Sequence, residues 1–505
     1  MLQPLIHPTT GRWFSGVANP HTSGYPRGNV PTQHRRGFET QRETVAGRSL
    51  PVEGEIPEWL SGRYVQNGPG QFEVGETALR HWFDPLAMLR GFRIRDGEVA
   101  YTNRFVRSRD FEFAREYGRV RTPFPGTPAQ RPVWRRLWQA LTGEFPDNPI
   151  IGVARIGGEL AAVTESPVAL TIDPETLETT GRIDLTAGVD ADLTLGHPHY
   201  DPRREALVNL GVSYGRKTTF TLFRRDGAGV ETTIRLPFDD APYVHSFALT
   251  DRYAVLPAMP FGLDLPSLLA GAVTGRTFLD AFERFDRDGE FVVVDRETGS
   301  VVARPRVDPF FVYHHANAFP DGDELVVDLV AYPDERAVTD LTLSNLRRAS
   351  PSVPQGDLRR YRLPLDGSRA TGETLREGHV EFPVVDYPRR LGEPYDHVYV
   401  AETADKSSLP TRLAKVSVPD GGAATWTEDG AFPGEPMFVR APDATADDEG
   451  VVLSLVLDAE ADRSFLLVLD AATFGELARA PLPHRLPYGF HGQFYADGDP
   501  VRSMA

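Results

Sequence analysis

From Gly37 onward the chain repeats short runs of β-branched and aromatic residues bounded by Gly, Pro, Asp or Asn, among them "GRYVQNG", "EALVNLGVSYG", "ELVVDLVAY" and "VVLSLVLD". Runs of about four to eight such residues with turn residues between them predict many short antiparallel strands. Three segments, 171–185, 292–307 and 466–482, share one plan: a strand ending in Asp, a turn carrying Thr, and a return strand. The Asp and Thr side chains of such turns bond nearby backbone amides and hold the turn. Hairpins that recur without crossover helices argue against a parallel α/β fold and for radial or barrel repetition. Dividing the ~460 patterned residues into four-stranded sheets of roughly 60–70 residues gives six to eight blades, the range of β-propellers. No linker interrupts the pattern, so residues 37–505 read as one all-β domain. Residues 1–36, rich in Gly, Pro, Thr, His and Arg and without apolar periodicity, read as a loose N-terminal arm.

Two stretches break the β pattern. In residues 131–145, Trp134, Leu137, Trp138 and Leu141 recur at helical spacing with Arg131, Arg135 and Arg136 opposite them. Residues 261–282 are apolar, punctuated by Gly and more helical. An amphipathic helix of the first kind can lie in a membrane interface, or cap a propeller with its apolar face inward. Both readings stand at this point, and peripheral membrane contact through 131–145 and 261–282 is one expectation.

Composition narrows the chemistry. The chain has no Cys, which excludes disulfides, thiolate zinc sites, iron–sulfur clusters and cysteine nucleophiles and leaves His and carboxylates as metal ligands. Its 505 residues carry 71 acidic against 54 basic side chains, a formal charge of -17, with Lys only at Lys217, Lys406 and Lys415. Acid excess with scarce Lys suggests a halophilic, high-salt cytoplasm; Arg-rich codon usage is the plainer alternative. Such a surface repels phosphates, and nucleic acid is not an expected partner. Met1 to Pro8 show no basic segment leading into an apolar one, and no apolar run reaches 18 residues. The expected location is cytoplasmic, soluble or peripheral on the inner face of the membrane.

Four of the 13 histidines sit in distinctive strand-like settings: His197 in "LGHPHYDP", His245 in "YVHSFALTDRYAVLP", His314 in "FVYHHANAF" and His491 in "LPYGFHGQF". The first two gaps are close to one blade and the last to nearly three. Inner strands of a propeller line its axis, so one His per blade can converge there. Spacing alone leaves metal ligands and ordinary core histidines equally open.

The ordered motifs "LSGRYVQNGPGQFEVGE", "HWFDPLAML", "HPHYDP", "HSFALTDRYAVLP", "HHANAF", "EFP", "GEPMFV" and "GFHGQF" resemble those of the carotenoid cleavage oxygenase family. In wording they are closest to its animal-type β-carotene oxygenase and retinoid isomerase branch. The resemblance runs from about Gly37 to Tyr495. It implies a seven-bladed β-propeller with an axial iron(II), one per subunit, under a dome of loops and helices on one face. Carried over by position, the iron ligands are His197, His245, His314 and His491, with His199 and His315 as non-ligating neighbours. Glu165, Glu381 and Glu435 orient three of the imidazoles, and His197 is left without a carboxylate. Phe83 and Thr164 match positions near the iron and are pocket candidates. The insertion at 261–282 falls where the family places its membrane-facing tunnel mouth.

Four neutral imidazoles suit iron(II) and leave two of six positions for dioxygen, the cosubstrate, and for substrate or water. The implied reaction adds both oxygen atoms across one double bond of an apolar polyene, a carotenoid or apocarotenoid such as β-carotene cleaved to retinal, giving carbonyl products. No side chain beyond the iron site is required as a catalytic base. The alternatives are polyene or retinoid isomerisation at the same iron, stilbene-type cleavage, and a non-catalytic propeller used as a binding platform. Three departures bear on substrate choice: Gln66 stands for the family's usual Arg, Pro85 for Gly, and Arg90 for His. Pro fixes φ and removes a donor, so the loop at Pro85 is expected to follow another path.

Overall fold

The computed structural model describes residues 30–403 and 409–497. Most of the arm expected over residues 1–36 lies outside the described residues. From Val30 the chain forms a 3-10 helix, Val30–Phe38, in which the buried His34 ring bonds the Leu346 carbonyl at 3.1 Å.

Seven antiparallel sheets of four to six strands follow one another along the chain. Blades 2 to 6 occupy residues 152–184, 193–238, 248–307, 311–376 and 380–427 in turn. Blades 1 and 7 close the ring with strands from both ends. Blade 1 is built from Val45–Leu50, Glu98–Phe105, Leu86–Arg95 and Gly62–Gln66, and adds the C-terminal strand Gly492–Ala496. Blade 7 carries Glu53–Gly54 at its outer edge, against Glu476–Pro481. This is the seven-bladed propeller that the resemblance implies.

Local chemistry explains the turns. Asp173 Oδ1 accepts from the amides of Glu175 and Thr176 at 2.9 and 2.8 Å. Asp295 Oδ1 does the same for Glu297 and Thr298, and Asp470 Oδ1 for Thr473. All three predicted hairpins form at these turns. The strands supply near-continuous buried aliphatic runs, such as Leu325 to Val330 and Val451 to Leu457, because both faces of a blade pack on neighbouring blades.

Among the described residues, three α-helices of nine or ten residues interrupt the ring, α1 (Arg109–Tyr117), α2 (Val133–Thr142) and α3 (Leu265–Thr274); the other α-helices have four residues each. Helices α2 and α3 end on glycines in the left-handed region, Gly143 and Gly275 at φ 63° and 81°, whose N–H groups bond carbonyls one turn back and stop each helix. The two helices touch, with Arg136 donating to the Val273 carbonyl at 3.3 Å. A buried ion cluster anchors the C-terminal end of α2. Arg121 bonds Asp110 at 3.0 Å, Asp147 at 3.3 Å and Glu144, and its carbonyl accepts from Gln139 of α2 at 3.2 Å.

Candidate metal centre and its cavity

Each blade delivers one residue to the axis. His491 enters from blade 1, Glu165 from blade 2, His197 from blade 3, His245 from blade 4, His314 from blade 5, Glu381 from blade 6 and Glu435 from blade 7. Five of the seven lie just outside a strand and two, His314 and Glu381, within one. One ring nitrogen from each of the four histidines lies within 4.8 Å of the others.

The glutamates fix the rings. His245 Nδ1 meets Glu165 at 2.6 Å, His314 Nδ1 meets Glu381 at 2.6 Å, and His491 Nδ1 meets Glu435 at 2.7 Å. A carboxylate accepts and does not donate, so each of these Nδ1 atoms carries the proton and each Nε2 presents a lone pair. One such nitrogen, His245 Nε2, stands 3.0 Å from Nε2 of His197, the ring that has no carboxylate to set its tautomer. His314 Nε2 is buried and has no hydrogen-bond partner among the described residues. Imidazole lone pairs that converge without donors to fill them fit a cation, and four imidazoles fit a borderline transition ion such as iron(II).

Every carboxylate is itself held by a second donor. The Tyr243 hydroxyl donates to Glu165 at 2.7 Å and the Tyr332 hydroxyl to Glu381 at 2.5 Å. Glu381 also takes the Phe382 N–H, and Glu435 the Gly492 N–H, each at 2.7 Å. Burial tends to raise Glu381, but His314, Tyr332 and Phe382 N–H outweigh it and hold its carboxyl below the usual range. Burial, and then the neighbouring imidazoles of His245, His491, His314 and His199, push His197 well below its ordinary value. Burial likewise lowers His314 against the pull of Glu381. Neutral rings are what a metal requires.

The neighbouring histidines point elsewhere. His199 bonds the Tyr387 hydroxyl at 2.5 Å and the Phe247 carbonyl at 2.7 Å, and burial lowers it to about 4. His315 meets Ser246 Oγ at 2.8 Å.

Above the imidazoles opens a cavity of about 940 Å³. Trp82, Phe83, Tyr313, Phe382 and Phe490 line it near the centre, and Thr164 and Glu165 flank them. Phe83 packs edge-on to both Tyr313 and Phe490. Asp84 pins its loop by accepting from Arg80 N, His81 N, Gly126 N and Thr127 Oγ1, and the Pro85 carbonyl accepts from Asn148. At its far reach the cavity touches Leu141 of α2 and Leu268 and Leu269 of α3. The apolar side of α2 faces out: Trp134 is 66% exposed, Trp138 49% and Leu141 86%, beside Leu269 at 65%. The inward-facing cap considered for residues 131–145 is therefore not what forms.

Tyr243, Tyr332, Phe382 and Phe490 were not singled out by sequence reasoning. Tyr243 had a usable signal, since it precedes His245 by two residues and shares its face. Tyr332 had none, because it reaches Glu381 from another blade.

An all-histidine centre on the axis of a seven-bladed propeller, at the floor of an aromatic cavity, defines a class of metal-dependent propeller proteins. The family described as retinal pigment epithelial membrane protein matches residues 37–496, and the chain belongs to it, the carotenoid cleavage oxygenases. It is 30% identical to β,β-carotene 15,15'-dioxygenase of Mus musculus over 521 aligned residues, spanning 91% of each chain. It is 34% identical to carotenoid cleavage dioxygenase 8 homolog A, chloroplastic, of Oryza sativa over 470 residues, spanning 88% of this chain and 84% of that relative. The crystal structure of cobalt-substituted apocarotenoid oxygenase from Synechocystis superposes with a TM-score of 0.82 at 26% identity, covering 93% of this chain and 99% of that one.

Proposed function

We propose that this chain is an iron(II) dioxygenase that cleaves one double bond of a carotenoid or apocarotenoid to two carbonyl products. The observation that carries the reading is the convergence of four imidazoles at the floor of an apolar cavity of about 940 Å³. His197, His245, His314 and His491 would hold the iron. Bound there, iron(II) supplies the dioxygen activation that adding two oxygen atoms to a carbon–carbon double bond requires.

The protein's own contribution is placement and exclusion. Trp82, Phe83, Tyr313 and Phe490 form a rigid wall that excludes water and selects the bond by position. Each glutamate is taken up by an imidazole N–H and at least one further donor: the Tyr243 hydroxyl on Glu165, the Tyr332 hydroxyl and the Phe382 N–H on Glu381, and the Gly492 N–H on Glu435. None is left as a proton acceptor, which suits a reaction that transfers no proton to a side chain. Burial holds the Tyr243, Tyr313 and Tyr332 hydroxyls far above their usual range, so they stay protonated as donors.

The test is incubation of iron-loaded protein with β-carotene or a shorter apocarotenoid under labelled dioxygen. Two labelled carbonyl fragments are expected, and their masses give the bond cut. An isomerised polyene without label would overturn cleavage in favour of isomerisation.

The mouth has its own reading. α2 and α3 expose Trp134, Leu141 and Leu269 where the cavity reaches the surface, and Arg135 covers the faces of Trp134 and Trp138. Apolar side chains rimmed by Arg suit a lipid interface, so the protein would rest on the cytoplasmic face of a membrane and draw an insoluble polyene from it. Among the described residues no helix is long and apolar enough to cross a membrane. The charge of -17 supports a further part of the proposal, a solvent coat adapted to high salt.

A further inference from the structure

Arg90 is among the largest fully buried side chains, with 0% exposure, and among the described residues its side chain donates to carbonyls and forms no ion pair. A buried charge without a counter-charge persists only where hydrogen bonds satisfy it. The two terminal nitrogens of Arg90 donate to backbone carbonyls on two segments, Asn67 O at 3.2 Å and Pro69 O on one and Pro487 O at 3.3 Å on the other, while Nε meets no acceptor among the described residues. These are the segments that carry the fourth imidazole. Asn67 N donates to His491 O at 3.0 Å, and Phe490 N donates back to Asn67 O at 2.9 Å. Gln66 Nε2 donates to Phe490 O at 3.2 Å.

The register makes the connection direct. Gln66 pairs with Arg90 on one side and with Gly492, the residue after His491, on the other. Two glycines make room for the arrangement. A Cβ on Gly489 would lie 2.2 Å from Gln66 Oε1 and 2.9 Å from Arg90 Nη1, and one on Gly68 would lie 2.5 Å from Arg90 Nη1. A guanidinium offers donors in a fixed fork, and here the fork ties residues 67–69 to residue 487 just ahead of Phe490 and His491.

We infer that Arg90 is a positioning residue of the metal centre: by clamping the carbonyls of Asn67, Pro69 and Pro487 it sets the backbone that aims the His491 imidazole at the axis. Glu435 fixes the rotation of that ring through Nδ1, and Arg90 fixes where its backbone stands. The inference rests on the metal reading given above.

The experiment compares wild type, Arg90→Gln, Arg90→Lys and His491→Ala after loading with Co2+ or Fe2+. It reads the visible d–d spectrum of the cobalt protein and the rate at which a chelator removes iron. Thermal unfolding of each variant confirms that it is folded. Groups that orient a ligand from outside typically change metal affinity by about 10–100-fold. Arg90→Gln should therefore lose iron at least about tenfold faster and shift the cobalt spectrum, with Arg90→Lys in between because one ammonium cannot span three carbonyls. Wild-type spectrum and loss rate in Arg90→Gln, with only a lowered melting temperature, would overturn the inference and leave the metal site standing. Should Arg90→Gln fail to fold, Arg90→Lys decides in the same way. Failure of the wild type itself to hold either metal, or retention of metal by His491→Ala, would sink the metal reading and this inference with it.

Discussion

The metal centre and the cavity mouth are built on opposite principles. At the axis seven blades each place one side chain, and every carboxylate is held by two or more hydrogen bonds. At the mouth two helices meet with one side-chain hydrogen bond between them, Arg136 to Val273 O, and leave Trp134, Leu141 and Leu269 largely exposed. The three carboxylates of the centre have their partners inside the molecule. The mouth has apolar surface that no described residue covers. The one is suited to hold a metal in fixed geometry, the other to accept a substrate that does not dissolve in water.

The largest expected effect falls at the axis. His314→Ala removes the axial ring whose buried Nε2 meets no donor among the described residues, and metal analysis should find iron binding and polyene cleavage both abolished. Unchanged iron content would place the metal elsewhere. Glu381→Gln should cost about 10–100-fold in iron affinity, measured by competition with a chelator. His197, which lacks a carboxylate partner, has no equivalent substitution.

The mouth should respond in a different measurement. Trp134→Ser, Leu141→Ser and Leu269→Ser combined should weaken sedimentation with lipid vesicles by on the order of 30-fold, about 2 kcal/mol of apolar transfer. Turnover of substrate delivered in detergent should hardly change. Equal loss in vesicles and detergent would mean that the helices support the centre structurally.

Between the two regions lies Phe83. Phe83→Ala enlarges the wall beside Tyr313 and Phe490 and should loosen bond selection, seen as a second pair of fragments by mass, with a few-fold change in kcat/KM at most. The smallest effect concerns the coat. Raising KCl from low to molar concentration should lift the melting temperature by several degrees, through screening of the net negative charge. A falling melting temperature would favour codon usage over salt adaptation.

Much of this was legible along the chain, for reasons that differ from residue to residue. The hairpins at Asp173, Asp295 and Asp470 were readable because their hydrogen bonds run two or three residues along the backbone. The four histidines stood out by their strand-like settings and blade-like spacing, but their role, and all three glutamates, could be named only by resemblance, since nothing local distinguishes Glu165 in "AAVTES" from a strand-end surface residue. Gln66 and Arg90 looked like two separate departures. Their pairing across one ladder, with the guanidinium reaching the carbonyls ahead of His491, depends on register.

The sequence by itself determined the strand pattern, the turn chemistry, the exclusion of thiolate sites and the helical periodicity of residues 131–145, because each follows from neighbours a few residues apart. Tertiary structure alone decided which nitrogens meet, which hydroxyls hold the carboxylates and which way α2 turns its tryptophans. Those outcomes depend on ring closure, which brings together residues as distant as Asn67 and His491, and on whether a helix face finds a partner within the fold. For the axial residues it did, and for Trp134 and Leu141 it did not.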